Sequence, residues 1–225
     1  MGGGMLGHAT ATAFAAGTVA RVAGLFVTFE GIDRSGKTTQ ARMLCEALGN
    51  QALAVREPGG TAVGERVRDL LKEPHVEIAP HAEALLFAAA RSELCRQVIR
   101  PALEQGRVVI SDRFLDSSLA YQGEARGLGV EEVFEMNRWA TDGLLPDLTI
   151  YLAIDPHAAA ARAGGGDRIE GEGLALQERV AQAYERLAAA DAGRWRRIDA
   201  DRPAEEIHAE VLAAVDAARA GAPAA

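Results

Sequence analysis

Short, nearly continuous apolar runs alternate with longer amphipathic stretches along most of this chain. LFVTFE (25–30), ALAVRE (52–57), RVVISD (107–112), DLTIYLAI (147–154) and WRRID (195–199) read as strands. Between them, apolar positions at helical spacing predict helices near 37–48, 62–72, 80–104, 130–142, 171–190 and 204–218. Strands joined by helical connections predict an α/β fold: a five-stranded parallel sheet flanked by helices. One folded unit over 25–218 accounts for the pattern. Residues 1–24, rich in Gly and Ala, read as a flexible N-terminal extension, with Met5 an alternative start, and 219–225 as a flexible tail. Around 160–172 the alternation breaks. Gly164, Gly165 and Gly166 stand between Arg162 and Arg168, which suits either a mobile lid carrying positive charge or a plain surface loop.

Composition narrows the partners. The 225 residues are 48% apolar and 25% charged, as expected of one globular core. A net charge of -8 disfavours a general electrostatic grip on nucleic acid, although a local arginine cluster could still hold one nucleotide. Cys45 and Cys95 lack metal-ligand spacing and read as reduced thiols. The reduced thiols make a cytoplasmic location the expectation, and the first residues lack a basic start followed by an apolar block of sufficient length, which argues against a signal peptide or membrane span.

The stretch FEGIDRSGKTTQ (29–40) carries the clearest chemistry. It matches G-x-x-x-x-G-K-[ST] between a predicted strand and a predicted helix, the context that makes this motif a phosphate cradle. Gly31 and Gly36 allow a tight backbone path, the amides from Gly31 through Ile32, Asp33, Arg34 and Ser35 to Thr39 surround the phosphates, and Lys37 reaches the terminal ones. Thr38 supplies a hydroxyl for Mg²⁺. Only Lys37 and Lys72 are lysines among 24 basic residues, so a lysine stands in the cradle of an arginine-rich chain. Asp112, at the end of a predicted strand, suits the magnesium shell, and Arg113 beside it suits a phosphate. Arg56, Arg68 and Arg91 are further anion contacts, and Phe87 is a planar contact or a core residue. His75, His81, His157 and His208 read as surface or helix positions, and His8 falls in the extension. The cradle alone suits hydrolysis, switching or transfer to an acceptor.

Several separated motifs settle on one resemblance. FEGIDRSGKTTQ, REPGGT (56–61), LLFAAARSE (85–93), DRFLDSSLAYQG (112–123), LPDLTIYL (145–152) and DRIE (167–170) occur in an order that resembles thymidylate kinases, over about 25–218. The resemblance implies the P-loop nucleoside monophosphate kinase fold with a short lid, a homodimer, and transfer of the ATP γ-phosphoryl group to dTMP, giving dTDP for dTTP synthesis. It also implies roles. Phe87 would stack on thymine, Arg91 would hydrogen-bond to it, Ser118 and Gln122 would line the base pocket, and Tyr121 would stand near the sugar. Arg113, with Arg56 and Arg68, would hold the acceptor phosphate. Asp33 would approach the sugar 3′-hydroxyl or the magnesium shell. Arg34, with Lys37, would stabilise charge on the transferring group, while Arg162 and Arg168 would clamp ATP from the lid. The competing expectations are another nucleoside monophosphate kinase, or a nucleotide-binding switch or ATPase that makes no dTDP.

Overall fold

The computed structural model describes residues 24–162 and 173–221. Five parallel strands form one sheet in the order β2-β3-β1-β4-β5. They are β1 (Leu25–Glu30), β2 (Ala52–Arg56), β3 (Val108–Asp112), β4 (Leu148–Ala153) and β5 (Trp195–Asp199). All five predicted strands are present, within a residue of their expected ends. Strands β1, β3 and β4 are almost wholly buried, whereas the edge strand β2 alternates, as expected when helices cover both faces of a parallel sheet.

Alternation along the strands divides the core. Val27, Phe29, Val108 and Ile110 face one side and pack with Leu44, Val180, Tyr184, Val211 and Val215. These residues come from α1 (Lys37–Leu48), α8 (Leu174–Ala190) and α9 (Ala204–Arg219). Phe26 and Val109 face the other side, against Leu94, Ile99, Phe114, Leu119 and Val133. That layer contains α3 (Pro80–Leu94), α4 (Arg100–Glu104), α5 (Leu115–Ser118) and α6 (Val130–Ala140), with α2 (Ala62–Lys72) packed on α3.

Three local features depart from the predicted helices. The helix expected over 80–104 opens into a wide π turn at Cys95–Ile99, just before Pro101, which has no N–H to close the preceding turn. The stretch 115–125, read only as a site motif, is helical, with α5 running into a second π turn at Leu119–Ala125. Asp155, whose side chain accepts from the amides of His157 and Ala158, starts the short α7 (Pro156–Ala161). Residues 1–23, most of the expected lid (163–172, including Arg168) and 222–225 lie outside the described residues. Cys45 and Cys95 are free, and among the described residues no helix is long and apolar enough to cross a membrane.

Candidate active site

Parallel register builds the site at the carboxyl ends of the strands, around β1, which lies between β3 and β4 in the sheet. Phe29 and Arg56 both pair with Asp112, so the loops leaving β1, β2 and β3 emerge side by side. The first loop runs from Gly31 to Gly36 and delivers Lys37 as the first residue of α1. Gly31 has φ 142°, and a Cβ there would lie 2.7 Å from the Leu152 carbonyl, so the loop needs glycine for space and for conformation.

These loops and α2, α3 and α5 enclose a cavity of about 340 Å³. Its lining includes Asp33, Arg34, Lys37, Thr38, Arg56, Arg68, Phe87, Arg91, Asp112, Arg113, Ser118, Tyr121 and Gln122. Thus every residue expected to meet the acceptor reaches one space with the donor-loop residues. Both lysines of the chain line it, Lys72 from the end of α2. Phe87 both faces the cavity and packs on Val67, Leu71 and Ala90, so the two sequence readings of it are compatible. Ile32 sits in the core with 1% exposure, leaving its backbone to the cradle, and Thr39 is exposed on α1. Among the described residues, no histidine lines the cavity.

Arg113 is the most connected charge in the site. Its Nη2 donates to Asp33 Oδ1 at 2.5 Å, and its Nη1 to Ser117 Oγ at 3.0 Å, Gly31 O at 3.2 Å and Tyr184 OH at 3.3 Å. Ser117 Oγ and Tyr184 OH in turn donate to Glu30 Oε2 at 2.6 and 2.8 Å, while the Phe114 amide donates to Glu30 Oε1 at 2.8 Å. Glu30 is therefore the fixed end of a hydrogen-bond chain that reaches Asp33 through Arg113. Burial, reinforced by Asp116, pushes the Glu30 carboxyl up from 4.5 to about 7, against the lowering effect of Ser117, Arg113 and Tyr184. At Asp33 burial acts upward too, but Arg113, Lys37 and the hydrogen bond from Gln177 together hold this carboxyl below its ordinary value. Gln177, on α8, clasps Asp33 from the other side: its Nε2 donates to Oδ2 at 2.8 Å and its Oε1 accepts from the Asp33 amide at 3.2 Å.

The donor side is held by backbone contacts. Lys37 Nζ donates to Ile32 O at 2.7 Å inside the loop, and burial, with repulsion from Arg113, lowers its ammonium to about 8. Arg34 and Arg113, at φ 62° and 72°, adopt the left-handed backbone that non-glycine residues rarely take. Arg34 Nη1 reaches the carbonyls of Ala160 and Arg162, and Arg162 Nη1 returns a bond to Arg34 O at 3.0 Å. Thr38 Oγ1 donates to Asp112 Oδ2 at 2.5 Å. Two adjacent hard oxygens at the mouth of the cradle fit a magnesium ion that completes its shell with phosphate and water. Among the described residues, no group of three or more His, Cys, Asp or Glu side chains offers a separate metal cage.

Arg91 is 1% exposed, and its guanidinium is spent on protein acceptors: Glu57 Oε2 at 2.7 Å from Nε, Ser118 Oγ at 3.1 Å, the Asn137 carbonyl oxygen, and Phe114 O at 3.1 Å. The arginine expected at the base thus also pins three elements around the cavity. Sequence reasoning missed Glu30, Glu57, Ser117, Gln177 and Tyr184. Glu30, Glu57 and Ser117 sit within or beside motifs already singled out, but Gln177 and Tyr184 enter from α8 and have no local signal.

Comparison with known proteins agrees with this architecture. The thymidylate kinase family profile matches residues 29–211. The chain is 48% identical over 200 residues to a thymidylate kinase of Leifsonia xyli subsp. xyli, covering 86% of this chain and 95% of the relative. It is 49% identical over 196 residues to one of Bifidobacterium longum, covering 84% and 95%. A crystal structure of thymidylate kinase from Ehrlichia chaffeensis superposes with a TM-score of 0.72 at 33% identity, over 85% of this chain and 98% of that one. The fold is that of the P-loop nucleoside monophosphate kinases, and the chain belongs to the thymidylate kinase family.

Proposed function

We propose that this chain phosphorylates dTMP with ATP, giving dTDP and ADP, and that the residues of the cavity divide the work between a donor end and an acceptor end. The observation that carries this reading is the position of Arg113, between the phosphate cradle and the Phe87, Ser118, Tyr121 and Gln122 wall of one cavity.

Phosphoryl transfer asks the protein mainly for alignment and charge stabilisation, since the acceptor phosphate is already an oxygen nucleophile. In this reading the amides from Gly31 to Thr39 and the Lys37 ammonium hold the donor phosphates. Arg113 holds the acceptor phosphate with Arg56 and Arg68. Arg34, inside the donor loop, stabilises charge on the group in transfer. Thr38 and Asp112, with Asp33 as a further candidate, would hold magnesium, which neutralises donor-phosphate charge when bound. Phe87 stacks on the base, Ser118 and Gln122 meet its polar edge, Arg91 lines the cavity behind them and holds Ser118 in place, and Tyr121, near Asp33, crowds the sugar. Arg162, whose Nη1 donates to Arg34 O, stands beside the donor loop as a further ATP contact.

A homodimer is part of the same proposal. Val63 and Leu70 on α2, Leu85 on α3 and Trp139 on α6 are large apolar side chains left 41 to 84% exposed on helices that pack together, an arrangement suited to a second copy. The free cysteines suit a reducing, cytoplasmic setting.

A coupled assay with dTMP, dUMP, dCMP and the ribose counterpart of dTMP tests the reading. The expected result is efficient transfer to dTMP, weak transfer to dCMP and little ATP hydrolysis without acceptor. Equal or better transfer to dCMP overturns the acceptor assignment, and acceptor-independent hydrolysis at the same rate points to an ATPase.

A further inference from the structure

Gln122 lines the cavity, yet a glutamine amide presents either an acceptor or a donor, so its role depends on which end faces inward. The structure fixes that choice through a residue outside the cavity lining. Gln122 Nε2 donates to Glu83 Oε1 at 2.9 Å, in a contact where Gln122 is 2% and Glu83 1% exposed. Glu83 is paired on its other flank with Arg126, whose Nε and Nη2 donate to Oε1 and Oε2 at 3.1 and 3.2 Å. A carboxylate paired with a guanidinium accepts and does not donate, so the amide NH₂ of Gln122 is committed to Glu83. None of the described residues donates to Gln122 Oε1. One helical turn earlier, Ser118 Oγ accepts from Arg91 Nη1, and none of the described residues accepts the Ser118 proton.

We infer that Glu83 is a positioning residue for base selection: it holds Gln122 with its carbonyl oxygen toward the base, so that the wall presents an acceptor beside the Ser118 donor. Thymine offers the complement, an N3–H next to a carbonyl oxygen. Cytosine places a lone pair at N3, which would face the Gln122 oxygen without a proton between them. This inference rests on the acceptor assignment above and names what enforces it.

The test removes both members of the Glu83–Arg126 pair, because Glu83 loss alone would strand a guanidinium. In Glu83→Met/Arg126→Met, the ratio of kcat/KM for dTMP over dCMP is expected to fall about tenfold or more, with dTMP over dUMP unchanged because the methyl group is not read by this amide. Arg126→Lys, which retains Glu83 and keeps a cation beside it, is expected to keep the wild-type ratio. An equal loss of activity toward both acceptors in the double variant, with the ratio preserved, reduces Glu83 to a structural role and overturns the inference. Should the double variant not fold, ¹⁵N-labelled dTMP bound to the wild-type enzyme gives a second readout. Its N3 imino proton is expected to be protected from exchange, and rapid exchange overturns the inference. Wild-type enzyme that fails to prefer dTMP defeats the acceptor assignment itself, a result distinct from either.

Discussion

Arg113 Nη2 and Asp33 Oδ1 lie 2.5 Å apart although 80 residues separate them in the chain. The pair joins the loop after β3 to the loop after β1, so the arginine proposed for the acceptor phosphate and the acid of the proposed donor loop are held as one unit. Each side chain is 19% exposed, which leaves one edge of the pair open to the cavity.

Replacing Arg113 by Lys keeps the charge and loses the fork that meets Asp33, Ser117 and Tyr184 together. We expect KM for dTMP to rise and kcat to fall, with kcat/KM down by about 10²-fold, while KM for ATP changes little. Steady-state kinetics varying each substrate checks this, and an effect confined to ATP would exclude Arg113 as the acceptor arginine.

Arg34 occupies a left-handed backbone position inside the donor loop, so Arg34→Gly relieves strain while deleting the guanidinium. The thermal midpoint should stay level or rise, and turnover should fall at least about 10²-fold with substrate binding nearly intact. Near-normal turnover would remove Arg34 from the transfer step.

Glu30 gives a pH signature in stability. Its folded pKa of about 7 lies above the ordinary 4.5, so the native state holds a proton the unfolded chain releases between those values. Its contribution is therefore fully present below about pH 4.5 and lost as pH rises through about 7, a change of about 3 kcal/mol. Asp33 acts in the opposite sense and outside that window, since its lowered pKa costs stability only as pH falls through that lower value. The stability of wild type relative to Glu30→Gln should fall as pH rises across this range; a constant offset would show that Glu30 does not titrate there.

The hydroxyls between Glu30 and Arg113 can be removed one at a time. Tyr184→Phe deletes one acceptor for Arg113 Nη1 and one donor to Glu30 while preserving ring packing. KM for dTMP should rise severalfold, corresponding to about 1 kcal/mol for one net hydrogen bond, with kcat nearly constant. Unchanged kinetics would mean that Asp33, Gly31 and Ser117 hold Arg113 without Tyr184.

Trp139 is 84% exposed and Leu85 58% exposed, so a paired Leu85→Glu/Trp139→Glu variant should sediment as a monomer where the wild type sediments as a dimer. A dimer in both would place the subunit contact on another face.

Much of this protein was legible in one dimension because the deciding forces are local. Buried parallel strands read as apolar runs, the glycines of FEGIDRSGKTTQ answer a backbone conformation, and α2 begins where Thr61 caps its own helix. FEGIDRSGKTTQ, REPGGT, LLFAAARSE and DRFLDSSLAYQG carried the site because each lies in the few residues after a strand or on a helix facing the cavity. What sequence left open was polarity and partnership. Whether Phe87 was core or pocket, where Arg91 spends its donors, and which end of the Gln122 amide faces the base depend on groups brought together from distant segments. Hydrogen bonding in a buried site is a matter of which donors and acceptors remain after the protein has used its own, and only the tertiary structure, by packing α3, the 115–125 segment and α8 around the strand ends, decided that balance.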